Sequence, residues 1–342
     1  MNDANELDLV AVRAFLGDKL AGFDSEITAT KFAHGQSNPT FLIETKAGKY
    51  VLRRKPTGIL LKSAHAVDRE FKVQSALAAT PVPVAKMHLL CEDETIIGSA
   101  FYVMDHVIGD TYDDPSMPQL SIIARGAVVA EMGRVLAALH NVDPAQVGLA
   151  DYGAPGDYCA RQIKRWSKQY YDSETGAISD MDRLIVMLNE RLPQDDGQRT
   201  LVHGDYRLDN LIIKSGGTKI RAVLDWELST LGHPFADLAS VIMQWQMPHG
   251  AEGRGLAGID RAAFGLPSDQ EFVDRYCGAR GIDRIQDFGF YLGFCFFRMA
   301  AVLQGVKKRA LDGNASNPKK AISLGAHVPA FAAAGLRALK QD

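Results

Sequence analysis

Short apolar segments, bounded by turn-forming residues, fill the N-terminal third of the chain. Their length and their β-branched and aromatic residues predict strands. The predicted strands are Ile27–Phe32, Thr40–Thr45, Tyr50–Arg54, Lys86–Cys91 and Ala100–Met104. Apolar residues at helical spacing predict a helix over Leu7–Leu20 and another over Ala64–Ala79, just before Pro81. The resulting order β-β-β-α-β-β over residues 24–104 predicts an antiparallel sheet with one main helix.

Beyond Gly109 the apolar spacing becomes helical. The predicted helices are Gln119–His140, Asp157–Tyr171 and Met181–Arg191. A strand-rich stretch over Leu201–Leu224 interrupts them, and the chain is helical again from Phe235 onward. We therefore predict an α+β protein with a small N-terminal lobe over 1–106 and a larger, mostly helical lobe over 107–342.

The composition is that of a folded globular protein, because 46% of the 342 residues are hydrophobic and only 23% are charged. The formal net charge of −3 argues against a dedicated nucleic-acid-binding protein, since such proteins are usually basic. The four cysteines lie too far apart for a C-x-x-C element, so neither a zinc cage nor a disulfide framework is suggested.

The N-terminus is polar and acidic, without the basic start and apolar run of a signal peptide. The most apolar segment is Phe288–Val306, which Arg298 and several glycines interrupt. We interpret this segment as a buried helix rather than a membrane span, which needs about 20 mostly apolar residues. The expected location is therefore the cytoplasm, with no membrane partner.

Three oxygen-bearing side chains stand at the edges of short predicted strands. Asp205 follows Leu201-Val202, Asn210 precedes the apolar run Leu211–Ile213, and Asp225 follows another apolar run. One carboxylate to accept a hydroxyl proton, with an amide and a second carboxylate to hold Mg²⁺, is the set that phosphoryl transfer requires.

A hydrolytic metal cluster is the alternative for this stretch. It would use the side chains of His203, Asp205, Asp209 and Asp225. That interpretation leaves Asn210 and the whole first lobe without a role. The spacing therefore favours phosphoryl transfer.

The motif His203-Gly204-Asp205 through Asn210, together with Leu224–Glu227, resembles the aminoglycoside phosphotransferase family. Members of that family are small-molecule kinases that share the two-lobed fold of protein kinases. His-Gly-Asp stands where protein kinases have His-Arg-Asp, and Asp-Trp-Glu stands for Asp-Phe-Gly. Within the family, these residues are most similar to the branch found as a kinase domain fused to certain acyl-CoA dehydrogenases.

The resemblance implies a role for each residue of the motif. Asp205 would be the catalytic base, and Asn210 and Asp225 would be the ligands of Mg²⁺. His203 would be a structural histidine that braces the metal-binding turn. Asp237 would be a buried carboxylate at a helix start that steadies the catalytic loop.

The first lobe is expected to hold ATP. The loop between the first two strands contains Ser37 and Asn38, and backbone N–H groups and hydroxyls of this loop would contact phosphate oxygens. Arg53 takes the place of the phosphate-binding lysine of kinases, and Glu70 on the following helix would orient it. Lys55 shares the face of Arg53 by strand alternation, so it stays open as the phosphate ligand.

The strand that ends near residue 105 matches the kinase hinge, where backbone groups hold adenine. The resemblance points to the carbonyl of Asp105 and the N–H of Val107 as the adenine contacts. Met104 would line the back of the pocket. The sequence does not distinguish ATP from GTP.

These features predict an ATP- and Mg²⁺-dependent phosphotransferase with an alcohol group as acceptor. A basic helix containing Arg161, Lys164, Arg165 and Lys168 suits an anionic small molecule, so we expect a hydroxy acid or a hydroxyacyl-CoA as the acceptor.

The main alternative is a catalytically silent nucleotide-binding protein on the same fold. A protein kinase is disfavoured because the interval from Trp226 to Phe235 is too short for a peptide-docking segment. The sequence does not indicate an oligomeric state.

Overall fold

The structure is a computed structural model that describes residues 7–32, 38–56, 66–250, 253–315 and 317–341. The chain divides into two compact units. The first contains the residues up to Tyr112 together with Ala145–Leu149 and Leu208–Ser229. The second contains Asp113–Pro144, Ala150–Arg207 and the residues from Thr230 onward. These two units do not test the lobe boundary that we expect between residues 106 and 107, so that boundary stays a prediction.

An antiparallel sheet of five strands forms the body of the first unit, in the order β1-β2-β3-β5-β4. The strands are β1 Thr28–Lys31, β2 Thr40–Thr45, β3 Gly48–Arg54, β4 Met87–Cys91 and β5 Phe101–Asp105. Helix α1 spans Leu9–Leu16 and helix α2 spans Val67–Leu77. All five strands predicted in this region and its main helix are present, which confirms the α+β class.

Side chains alternate between the two faces of this sheet and pack into two separate cores. Leu52 and Phe101 lie in one core with residues of α1. Val51, Tyr102 and Met104 lie in the other, against Val67 of α2. The second face therefore carries α2, and side chains that point to it from β3 and β5 can meet those of the helix.

A second hairpin completes the first unit. Strands β7 Leu211–Ile213 and β8 Ile220–Val223 pair in antiparallel fashion, and short 3₁₀ turns at Leu208–Asn210 and Trp226–Leu228 flank them. Asp110 forms a bridge with Ile213 that ties the hairpin to the segment after β5.

The second unit is mainly helical. Its helices are α3 Ile122–His140, α4 Tyr158–Asp172, α5 Ser179–Glu190, α6 Pro234–Trp245, α7 Asp269–Arg280, α8 Phe288–Leu311, α9 Pro318–Gly325 and α10 Val328–Ala338. Two short antiparallel pairs accompany them, β6 Thr200–Val202 with β9 Thr230–Gly232 and β10 His249–Gly250 with β11 Gly253–Arg254. Helix α8 is central, because α4, α5, α6, α9 and α10 all pack against it.

Within the described part of the chain, α8 alone has the length and apolar composition needed to cross a membrane. However, 78% of its most apolar window is buried inside the protein. The helix predicted for Phe288–Val306 is therefore a core helix of this fold, as the sequence indicated.

The ends of several predicted helices differ from the structure, among them those of α3 and α1. Helix α3 begins at Ile122 rather than Gln119, because the Ser121 side chain accepts a hydrogen bond from the Ala124 N–H and caps the helix. Helix α1 ends at Leu16, four residues before the predicted end at Leu20.

Candidate active site

The predicted site residues divide between the two units. The first unit holds Asn38, Arg53, Glu70, Met104, Asp105, Val107, Asn210 and Asp225, and the second holds Asp205. Ser37 lies outside the described residues.

Arg53 on β3 forms an ion pair with Glu70 on α2. The Arg53 Nε atom lies 2.9 Å from Glu70 Oε2, and the two side chains are only 12% and 2% exposed. Strand alternation accounts for this contact, because Arg53 points to the sheet face that packs against α2. The pairing expected from the sequence is present, and it is shielded from water.

Two further donors fix the Glu70 carboxylate. The Tyr102 hydroxyl donates to Oε2 at 3.0 Å, and the Asn38 amide donates to Oε1 at 2.9 Å. Burial raises the pKa of Glu70, against the lowering effect of Arg53 and the Tyr102 hydroxyl. Burial alone would lower the pKa of Arg53, but nearby carboxylates, Glu70 first among them, outweigh it and the pKa is raised.

The other end of Arg53 reaches the second candidate metal ligand. Arg53 Nη2 lies 3.2 Å from Asp225 Oδ1 and 3.9 Å from Glu227 Oε2. One guanidinium therefore connects three carboxylates on α2 and on the turn after β8. A planar fork of donors suits this task better than a single ammonium group.

Asp225 has left-handed backbone geometry, with φ 63° and ψ 60°. A non-glycine residue pays a conformational cost in this region, and such residues concentrate at functional sites. The carboxylate of this residue lies beside Arg53. This backbone state cannot be read from the residue type, so no local pattern predicts it.

Arg54 and Lys55 follow Arg53 but have different surroundings. Arg54 is buried on the opposite face, where it donates to the Ile97 carbonyl and lies over the Phe41 ring. The Lys55 N–H donates to the Ala100 carbonyl at 2.9 Å. Arg53 contacts the carboxylates of Glu70 and Asp225, which favours Arg53 over Lys55 as the phosphate ligand.

Asn210 and Asp225 stand at the same end of the β7–β8 hairpin. Leu211 pairs with Val223, and the Leu224 N–H donates to the Asn210 carbonyl at 2.8 Å. The hairpin therefore places Asn210, which has an amide oxygen, and Asp225, which has a carboxylate, next to the same pair of strand ends.

This donor pair fits Mg²⁺, which prefers hard oxygen ligands and commonly uses only one or two protein groups beside phosphates and waters. Over the described ranges, no group of three or more His, Cys, Asp or Glu residues is arranged to hold a metal. The arrangement therefore suits an ion shared with a phosphate rather than one held by the protein alone.

The candidate hinge residues lie at the end of β5. Met104 is 9% exposed and packs in the same core as Val51 and Tyr102. The Asp105 carboxylate lies 2.6 Å from His88 Nε2, and its N–H donates to the Lys86 carbonyl. Val107 packs at the edge of that core.

In the second unit, Asp237 binds the start of the loop that carries Asp205. Its Oδ2 accepts the His203 N–H at 2.7 Å, and its Oδ1 accepts the Gly204 N–H at 2.9 Å. The expected brace is therefore present. Burial acts to raise the pKa of Asp237, but His140 and the N–H donors outweigh it and hold the pKa below its ordinary value.

His140 completes this buried group. Its Nε2 lies 3.3 Å from Asp237 Oδ2, and its Nδ1 lies 2.6 Å from the Tyr276 hydroxyl. Burial lowers the pKa of His140. The neutral ring therefore donates from Nε2 to the carboxylate and accepts at Nδ1 from the tyrosine.

Asp205 is about one-third exposed, with its side chain 31% accessible. Its own N–H donates to His203 Nδ1 at 3.3 Å, and Arg207 Nε lies 3.2 Å from its Oδ2. The next residue anchors the loop, because the buried Tyr206 hydroxyl donates to the Met132 carbonyl at 2.9 Å. Asp205 thus presents an accessible carboxylate on a fixed backbone.

Two arginines near Asp205 were not predicted as site residues. Arg207 stands two positions after Asp205 and contacts it directly. Arg298 on α8 donates to the Gly204 carbonyl at 3.2 Å and to the Ser240 hydroxyl at 3.4 Å. The spacing within the motif could have indicated Arg207, whereas Arg298 is distant in sequence and leaves no local signal.

A comparison with protein families identifies the chain. The family described as the phosphotransferase enzyme family, APH, matches residues 28–272, which is more than half of the sequence. The chain belongs to this family.

A longer relative and a solved structure agree with that assignment. The protein is 46% identical over 288 residues to mouse acyl-CoA dehydrogenase family member 10. The match includes 84% of this chain but only 27% of the mouse protein. This chain is 44% identical to the crystal structure of a candidate aminoglycoside phosphotransferase from Ralstonia eutropha JMP134, with a TM-score of 0.90 and coverage of 98% and 99%. The resemblance named from the sequence is confirmed.

A more distant structure shows the same fold. A thermostable mutant of the aminoglycoside phosphotransferase APH(4)-Ia, in complex with AMP-PNP and hygromycin B, matches with a TM-score of 0.62 and 16% identity over 96% of this chain and 98% of that one. The phosphotransferase-family chain therefore has the kinase-like fold of small-molecule phosphotransferases.

Proposed function

We propose that this member of the phosphotransferase family is an ATP- and Mg²⁺-dependent kinase that transfers the γ-phosphate to a hydroxyl group of a small molecule. The observation that carries the proposal is the largely buried Arg53, held by Glu70 and directed at the strained Asp225. A silent scaffold would have no need to place a desolvated cation beside a candidate metal ligand.

The nucleotide is proposed to bind through the first unit. Arg53 would hold phosphate oxygens in the orientation set by Glu70, and Ser37 and the backbone of Asn38 would cover the phosphates. The Asn38 side chain is buried against Glu70. Adenine would lie against Met104 and bind the Asp105 carbonyl and the Val107 N–H. The nucleotide complex of the structurally similar APH(4)-Ia mutant supports nucleotide use by this fold.

Mg²⁺ is proposed to bind Asn210 and Asp225, where it would neutralise charge on the phosphate oxygens. Asp225 would exchange its contact with Arg53 for the metal, which leaves the guanidinium free to turn toward phosphate. The short distance between these two side chains supports such an exchange.

Asp205 is proposed to be the catalytic base. Its carboxylate would accept the proton of the substrate hydroxyl as the oxygen attacks the γ-phosphate. The hydrogen bonds from His203 and Gly204 to Asp237 would keep the backbone of the loop in place during this step.

The acceptor is proposed to be an anionic hydroxylated molecule, such as a hydroxy acid or a hydroxyacyl-CoA. The similarity to mouse acyl-CoA dehydrogenase family member 10 supports an acyl thioester. The basic face of α4 gives weaker support, because Arg161 donates to the Pro155 and Gly156 carbonyls and Lys168 pairs with Asp172.

The test is ADP formation from ATP and Mg²⁺ with a panel of kanamycin-type aminoglycosides, hydroxy acids and 3- and 4-hydroxyacyl-CoA thioesters. We expect acceptor-dependent ADP formation with the anionic members and its loss when EDTA removes the metal. Turnover of the aminoglycosides alone would contradict the proposed acceptor. Nucleotide binding without ADP formation from any acceptor would favour the silent nucleotide-binding protein.

A further inference from the structure

Arg298 places a charge inside the long central helix of the second unit. It stands in the middle of α8, where Phe294, Phe297 and Ala301 are all buried. Arg298 itself is partly buried, and withdrawing a guanidinium from water is costly unless hydrogen bonds and opposite charges compensate. The guanidinium of Arg298 therefore requires compensating contacts at this position.

The hydrogen bonds of Arg298 end on the catalytic loop. Its Nη2 donates to the Gly204 carbonyl at 3.2 Å, and the same nitrogen lies 3.4 Å from the Ser240 hydroxyl on α6. Burial alone would lower the pKa of Arg298, but the nearby groups Tyr158, Cys295, Asp237 and Asp205, in that order, outweigh it and the pKa is raised. The charged guanidinium thus lies in the electrostatic field of the proposed base.

The peptide unit between Gly204 and Asp205 is held at both of its polar atoms. Arg298 binds its carbonyl oxygen, and His203 Nδ1 accepts its N–H at 3.3 Å. The preceding peptide is held through its N–H by Asp237. Gly204 itself has a φ of +84°, so this segment would otherwise have unusual rotational freedom.

We propose that Arg298 is a positioning residue for Asp205: by binding the Gly204 carbonyl it fixes the peptide plane that sets the direction of the Asp205 side chain. This proposal rests on the proposed function, because it assigns Arg298 to the same reaction. Asp237 holds the loop by its N–H groups, and Arg298 holds it by a carbonyl. Neither contact replaces the other.

The consequence is a selective effect on the chemical step. Loss of the carbonyl contact would let the peptide rotate and would move the carboxylate away from the hydroxyl it must deprotonate. A displacement of about 1 Å at a reacting group can cost roughly 100-fold in rate. The proposed nucleotide contacts belong to the other unit, so the KM for ATP should not follow kcat.

The test compares Arg298→Met and Arg298→Lys with a matched pair at Arg125. Arg125 also belongs to the second unit and also donates to backbone carbonyls, those of Met117, Pro118 and Phe264. For Arg298→Met we expect kcat to fall about 10- to 100-fold with the KM for ATP unchanged, and Arg298→Lys should recover part of the loss. Arg125→Met should lower the melting temperature without a fall in kcat that leaves the KM for ATP unchanged.

Hydrogen exchange supplies a readout independent of turnover. Arg298→Met should accelerate exchange of the Gly204 and Asp205 amides while the rest of the second unit keeps its protection. Unchanged exchange at these amides would overturn the positioning role, whether or not the wild-type protein forms ADP. A uniform rise in exchange across the second unit, with the KM for ATP and kcat changing together, would also overturn it. Failure of the wild-type protein to form ADP with every acceptor instead contradicts the proposed function.

Discussion

The Nε atom of Arg53 lies 2.9 Å from Glu70 Oε2 across the interface between a strand and a helix, and both side chains are nearly inaccessible to water. An ion pair in such a place is held by its hydrogen bonds as much as by charge, because each partner has given up its hydration. Here Tyr102 and Asn38 supply the additional donors to the carboxylate. The pair therefore fixes the direction in which the guanidinium points.

Replacing Glu70 with glutamine should weaken nucleotide binding. Arg53 would lose its charged partner and turn toward Asp225, away from the phosphates. We expect the Kd for ADP with Mg²⁺, measured by calorimetry, to rise about tenfold, which corresponds to about 1.4 kcal/mol of binding free energy.

Glu131→Gln is the matched control for that variant. Glu131 is also buried and also paired, with Arg134 Nε at 2.7 Å, but it belongs to the second unit. The control should lower stability and leave the Kd for ADP unchanged. Equal effects of the two variants on the Kd would contradict the role given to Glu70.

The choice between Arg53 and Lys55 as phosphate ligand can be decided directly. Arg53→Met should raise the Kd for ADP with Mg²⁺ at least about tenfold, since it removes the cation beside Asp225. Lys55→Met should leave the Kd within about twofold, because the observed carboxylate contacts are those of Arg53. The reverse order of effects would assign the phosphate contact to Lys55.

Acid should destabilise the second unit through His140. Its folded-state pKa is below the unfolded value of about 6.5, so the unfolded chain binds a proton that the folded chain excludes. The associated stability is present above about pH 6.5 and is lost as the pH falls, by at most about 1.4 kcal/mol per pH unit for one group. The melting temperature should therefore fall between about pH 7.5 and pH 5.5.

His140→Gln isolates this contribution, because His106 and His233 also have pKa values that burial lowers. The variant should show a smaller fall in melting temperature over the same pH range. Parallel curves for the variant and the wild type would contradict the assignment. Asp237 adds a second loss at lower pH, because its lowered pKa contributes stability above about pH 3.8 that disappears as the carboxylate is protonated.

Gly109 should not tolerate a side chain. A Cβ there would lie 2.4 Å from the Ile213 carbonyl oxygen and 2.4 Å from Ile212 Cγ2, so the β7–β8 hairpin that carries Asn210 would have to move. Gly109→Ala should destabilise the protein by roughly 1–3 kcal/mol and reduce activity.

Gly278→Ala is the matching control for this effect of size. Gly278 lies within α7, and a Cβ there would meet nothing within 4 Å. This variant should be neutral or stabilising by up to about 1 kcal/mol, because alanine favours the helix. Equal melting temperatures for the two variants would contradict the close packing at Gly109.

Local pattern was sufficient for most of the first unit. Strand alternation correctly assigned Arg53 to the face of α2 and Arg54 to the opposite core, because side-chain direction in a strand follows from position alone. The pairing of Arg53 with Glu70 followed from the resemblance of the motif. The loop containing Ser37 was predicted to cover phosphates, and it lies outside the described residues.

Long-range contacts set the limit of prediction. The contact of Arg298 with Gly204 joins positions far apart in sequence, and in the sequence Arg298 was only an interruption of an apolar run. The left-handed backbone of Asp225 depends on the packing around it, not on a local signal. By contrast, the start of α7 carries the capping box Ser268 to Glu271, which is visible in the sequence as a serine followed three residues later by a glutamate.

The most direct test of the account compares Asp205→Ala with Asp225→Ala, using the exposed Asp274→Ala on α7 as control. Asp205→Ala should lower kcat by roughly 10²–10⁴, the usual contribution of a positioned acid–base group, and should bind ATP and Mg²⁺ as the wild type does. Asp225→Ala should instead weaken binding of the metal–nucleotide complex. Full activity in Asp205→Ala, at wild-type nucleotide affinity, would contradict the assignment of Asp205 as the catalytic base.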